Sequence, residues 1–172
     1  MVELGVGDQR IRFDRERTIT AYSQTTLGWA DRCLCLGCKN FLLFRGSAYP
    51  EAFKVFLEAI GIDPAKEGEA IHYGPDGARH FYGGWFYFAG EILDAGERLV
   101  ELGPDFKYFI RTGFPKPPAP FGPKVLAVEF TTFLPWALET PWDPAFDAQL
   151  RKADEIMDRY ANTLRALAST DR

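Results

Sequence analysis

Four consecutive aromatic residues, Trp85-Phe86-Tyr87-Phe88, constrain this chain more than any other segment. Side chains alternate between the two faces of a strand, so four in a row load both faces with apolar surface. Such a strand belongs in the middle of a sheet, with a covering layer on each side. The residues before it read as its partners. Ile71-His72-Tyr73 and Arg79-His80-Phe81-Tyr82 flank the turn signal Pro75-Asp76-Gly77, and Gly83-Gly84 reads as a second turn or bulge before the central strand. If Pro75, Asp76 and Gly77 form a three-residue loop, His72 faces His80, with Cβ atoms ~5 Å apart on one face of the hairpin.

Further strands are expected at 106–110 and 125–134. The stretch between them, 113–123, holds five prolines and lacks the donors a central strand needs. It reads as a loop braced on its own domain by Phe114 and Phe121. Near the N-terminus, residues 10–13 and 18–22 alternate apolar with polar side chains and read as two short strands. Residues 23–32 read as a loop.

Helices supply the covering layers. Pro50 suits a first helical position, Phe53, Phe56, Leu57 and Ile60 fall on one face, and Gly61 supplies the stop. Asp63-Pro64 reads as the start of a short helix to about Glu69, and 41–44 as a short helix after a turn at Gly37. Asp143-Pro144 starts the longest element, a helix expected over 143–168. Phe146, Leu150, Ala153, Met157, Tyr160, Leu164 and Leu167 form an apolar seam along it. That seam packs either on the domain's own sheet or on a second copy, as a homodimer. The fold class is therefore α+β, a single domain with a mainly antiparallel sheet, packed helices and a long C-terminal helix.

The composition narrows the function. Lys and Arg number 20 against 24 Asp and Glu, a net charge of −4 with no basic block to neutralise phosphates, which argues against nucleic acid. No apolar run approaches the ~20 residues of a membrane span, and no basic-then-apolar leader opens the sequence. A cytoplasmic location is expected, with an unidentified protein or small molecule as partner.

All three cysteines fall between positions 33 and 38, in Cys33-Leu34-Cys35-Leu36-Gly37-Cys38. An odd, clustered set fits a reduced protein better than a disulfide framework. Thiolates at this spacing let one loop supply several tetrahedral ligands to zinc. With no fourth cysteine, His72 and His80 are the candidates to complete a set of Cys33, Cys35, Cys38, His72 and His80. Two other readings stand beside this one. Cys35-Leu36-Gly37-Cys38 is a C-x-x-C whose thiol a following helix would activate, although the residues before it are not a buried strand. Alternatively, the cysteines are small buried hydrophobes.

Several pieces recur together: Cys38-Lys39-Asn40-Phe41, Tyr49-Pro50, Phe53-x2-Phe56-Leu57, Gly61-Ile62-Asp63-Pro64 and Gly83-Gly84-Trp85. They resemble an uncharacterised bacterial family of unknown function marked by a Cys-x-Cys-x2-Cys-x-Asn-Phe cluster. The resemblance spans 33–92 and implies a compact module, and it carries over no catalytic residue. No nucleophile elbow, phosphate-cradling loop or metallopeptidase helix is present. The function expected is that of a small binding or interaction protein with a structural zinc at the cysteine cluster. The alternative is a metal-dependent or thiol-based enzyme using the cysteines and the His72/His80 pair.

Overall fold

The computed structural model describes residues 1–156 apart from 98, 114, 116, 118, 119 and 154. Its centre is β4 (Arg79–Asp94), which runs unbroken through Gly83-Gly84 instead of turning there. Close approach explains both glycines. A Cβ at Gly84 would lie 2.3 Å from the Glu69 carbonyl oxygen, and one at Gly83 would meet the Tyr73 ring at 2.9 Å. On one edge β4 pairs with β7 (Val125–Leu134). Along the other edge lie β3 (Glu69–Asp76) at its start and β2 (Gln9–Phe13) at its end. The sheet is antiparallel and is extended by β1 (Val2–Val6) beyond β2, and by β6 (Phe106–Arg111) and β5 (Val100–Glu101) beyond β7. This is an α+β arrangement with one sheet.

Every residue from Tyr82 to Gly90 is buried, as the doubly apolar strand requires. Tyr82, Phe86 and Phe88 share one face. The helices there are α3 (Leu36–Ala48) and α4 (Glu51–Ile60), which bring Phe41, Tyr49 and Phe53 against it. On the opposite face, Phe121 lies between the rings of Tyr22 and Tyr87, and the Tyr87 hydroxyl donates to the Pro115 carbonyl at 3.0 Å. The proline loop is thus braced through Phe121; Phe114 lies outside the described residues.

Four expectations are corrected. Residues 18–22 belong to helix α1 (Arg15–Gln24), because Asp14 caps it by accepting the Arg17 N–H at 3.0 Å. The expected loop at 23–32 ends in a helical turn, α2 (Trp29–Arg32). Helix α3 begins at Leu36 and not beyond Asn40, since Cys35 serves as its N-cap. The Asp63-Pro64 segment forms turns and gives way to β3 at Glu69, after Gly61 in the left-handed region (φ 87°) has closed α4.

Helix α4 and the strands at 106–111 and 125–134 follow the sequence reading closely. A helical segment starts at 144, after Asp143 accepts the Ala145 and Phe146 N–H groups. The expected run to 168 and its dimer seam lie outside the described residues from 157 onward. Among the described residues no helix is long and apolar enough to cross a membrane.

Candidate metal centre

Helix ends bring the cysteines together. Cys33 is the C-cap of α2 and Cys35 the N-cap of α3, whose Sγ accepts the Cys38 N–H at 3.4 Å. Cys38 sits in the first turn of α3 and directs its thiol to the Ala70 carbonyl on β3 at 3.8 Å. The Sγ atoms of Cys33 and Cys35 are 3.2 Å apart, and all three lie within 4.8 Å of one another. Cys35 and Cys38 are buried and Cys33 is half-buried. The contacts with Cys33 and Cys35, and then burial, push the Cys38 thiol well above its ordinary pKa. Three thiols packed this tightly cannot all ionise side by side without a cation to absorb the charge.

Glycine lets the helix approach the sheet. A Cβ at Gly37 would stand 2.5 Å from the His72 Cβ, so the first turn of α3 lies directly on β3. The same turn is held from the far end of the chain. Asp147, 2% exposed, accepts the Leu36 N–H at 2.8 Å through Oδ1 and receives Arg151 at 2.9 Å on Oδ2. A buried carboxylate at a helix N-terminus is favoured by the unpaired N–H groups and the dipole.

A second brace sits on the other side. Arg45 of α3 donates to both Asp31 oxygens of α2, at 3.1 and 3.0 Å, and to Glu67 Oε1 at 2.7 Å. Glu67 Oε1 also accepts the Ala30 N–H at 2.9 Å. Its side chain is fully buried, and burial pushes its carboxyl up against the opposing pull of the Ala30 N–H and Arg45. Removing one partner of a buried ion pair leaves the other desolvated and unpaired, at a cost of about 3–5 kcal/mol. Glu67→Ala is therefore expected to lower unfolding stability by about that much, read by urea denaturation, and Glu67→Gln by less.

The histidines meet, though by a different register. The loop is the two-residue Gly77-Ala78, Asp76 pairs with Arg79, and His72 faces Tyr82. A bulge between His72 and Gly74 offsets the slip, so one imidazole N–H bridges His72 Nε2 and His80 Nδ1 over 2.8 Å. Trp136 stacks on the His80 ring and lies tilted against that of His72, and Trp142 meets both edge-on. Burial first, and then His80, pushes His72 down to about 4, so the ring is neutral at physiological pH. His72 Nδ1 is buried and finds no hydrogen-bond partner among the described residues.

A cleft of about 390 Å³ opens over the thiols, lined also by Trp29, Glu69, His72, Arg151 and Glu155. His72 thus shares the cleft with the cysteines, whereas His80 does not line it. Among the described residues, the group close enough to hold one ion comprises the three cysteines. Sequence reasoning missed Asp147, Arg45 and Glu67. Asp147 lies 111 residues from its Leu36 partner, and no local pattern marks it.

No family model, curated protein or solved structure matches this chain.

Proposed function

We propose that this protein binds one zinc ion through Cys33, Cys35 and Cys38, with the fourth coordination position turned toward the cleft. The observation that carries this reading is the three Sγ atoms within 4.8 Å of one another. A tetrahedral ion with Zn–S bonds of about 2.3 Å needs its sulfurs ~3.8 Å apart, a small adjustment from that spacing. Soft thiolates select zinc over magnesium or calcium. The ion also supplies the positive charge that lets the crowded thiols ionise together. Three protein ligands and an open position describe a site that receives a ligand, in contrast to the closed four-ligand structural site. The function is accordingly that of a small-molecule binding protein built around a metal.

The test is elemental mass spectrometry of the native protein, with thiol titration before and after chelation. About one zinc per chain, and thiols that react only once the zinc is removed, is the expected result. A metal-free chain that also fails to take up added zinc under reducing conditions would overturn the reading.

The 3.2 Å contact between Cys33 and Cys35 favours a second, thiol-based reading. In the metal-free chain, peroxide is expected to join these two first. Each thiol gives up one proton and one electron, and the peroxide leaves as two waters. Peptide mapping that finds Cys38 in the first disulfide would exclude that pairing.

A further inference from the structure

We infer that the open position takes a free aminothiol carboxylic acid, held by its sulfur on the metal and by its charged ends on the walls of the cleft. This inference rests on the zinc reading above. The cleft is small and carries both signs of charge. Arg151 lines it, and so do Glu69 and Glu155. Arg151 is fixed by Asp147 Oδ2 at 2.9 Å, and Asp147 is itself fixed by the α3 N-terminus. A guanidinium presents five N–H donors, so an arginine anchored in this way can still grip a carboxylate in a bidentate manner. The two glutamates offer partners for an ammonium.

The metal decides the third attachment point. Zinc with three thiolates carries a net charge of about −1, and the donated sulfur electrons leave little Lewis acidity to ionise a bound water. Such an ion is poorly suited to making hydroxide. Its best exchangeable partner is another soft donor, a thiol that loses its proton to solvent as the metal–sulfur bond replaces bound water. The extra negative charge then falls beside Arg151, the cation of the cleft. Trp29, 40% exposed, stands at the cleft as apolar cover for a short alkyl chain. A molecule with a thiol, a carboxylate and an ammonium on a short carbon frame meets all of these groups. An acid without the thiol meets only the weaker ones.

Cobalt in place of zinc makes the sulfur ligands visible. The cobalt-loaded protein is titrated with L-cysteine, 3-mercaptopropionate, cysteamine and L-alanine, followed by the sulfur-to-cobalt charge-transfer band. L-Cysteine is expected to raise the band by about a third, as three sulfur ligands become four. The two probes lacking one charged end are expected to need at least about tenfold higher concentration, and alanine to leave the band unchanged. Arg151→Gln should weaken L-cysteine and 3-mercaptopropionate by more than it weakens cysteamine, which loses only the charge beside its sulfur and no carboxylate partner. Equal affinity for the three thiols, no response to any of them, or cobalt leaving the protein for the thiol in solution would each overturn the inference. A chain that never takes up cobalt would instead defeat the metal reading itself.

Discussion

Serine in place of Cys35 is expected to weaken metal binding sharply while leaving the chain folded. Cys35 has two roles that this substitution separates. Its sulfur belongs to the thiol cluster, and it also caps α3 by accepting the Cys38 N–H at 3.4 Å. Serine is among the best N-cap residues, because its oxygen accepts the same N–H. The helix start survives and the soft thiolate is lost, with a neutral hydroxyl left as a poor zinc ligand. Structural zinc on small domains contributes about 10–16 kcal/mol of binding free energy, so losing one of three protein ligands should weaken zinc by at least about 100-fold. Two readouts check this. Competition with a chromophoric chelator gives the affinity, and melting with and without zinc gives the linked stabilisation. The wild type should melt higher with zinc, since binding only to the native state stabilises it, and Cys35→Ser should gain less from the same zinc, by up to about 2.7 kcal/mol for a 100-fold weaker affinity. Cys35→Ala would lose the cap as well, at about 1 kcal/mol further. If Cys35→Ser retained zinc with wild-type affinity, the cluster would not be the ligand set.

The elements legible in the sequence are those whose cause is local. Helix α4 could be read because the Phe53-Phe56-Leu57-Ile60 face lies within it and Pro50 and Gly61 cap its two ends, and β7 because ten residues keep strand character without interruption. Trp85 to Phe88 announced a central strand because nothing but a two-sided core accommodates four aromatics in a row. The errors fall where a distant contact overrode the local pattern. Thr18 to Tyr22 alternates like a strand, yet Asp14 caps a helix over it, and the Thr18 hydroxyl then accepts the Ala89 N–H across 71 positions. Gly83-Gly84 looks like a turn until the Glu69 carbonyl and the Tyr73 ring occupy the space where side chains would have stood.

The same division runs through the site. The thiols were visible because they share one loop, and both caps that orient them are made by the cysteines themselves. The meeting of His72 and His80 was foreseen from a hairpin, although it is reached through a bulge and a two-residue turn. What could not be read is the supporting shell. Asp147 with Arg151, Glu67 and Arg45 reach the cysteine loop from three separate parts of the chain, and only the assembled sheet and helices bring them together.

Phe53→Ala is expected to be the most damaging single truncation of the core. The residue is fully buried on α4, and its ring lies within 6.4 Å of those of Tyr49, Phe56, Phe86, Phe106, Tyr108 and Phe130. These partners come from a helix, three strands and the junction before α4, so the ring is where the helical layer locks onto the sheet. Rigid aromatic neighbours on several sides collapse poorly into a void, which places the loss toward the upper part of the usual range for Phe→Ala, about 3–5 kcal/mol. A chain of this size shifts its melting temperature by roughly 2–4 °C per kcal/mol, so a fall of about 6–20 °C is expected. Phe53→Leu keeps most of the volume and should cost less than half as much. The comparison is informative because hydrophobic transfer alone predicts a modest gap between the two variants, whereas the cavity left among six rings predicts a wide one. Thermal and urea denaturation of both proteins would decide it, and near-equal losses would mean that the surrounding aromatics repack around the smaller side chain.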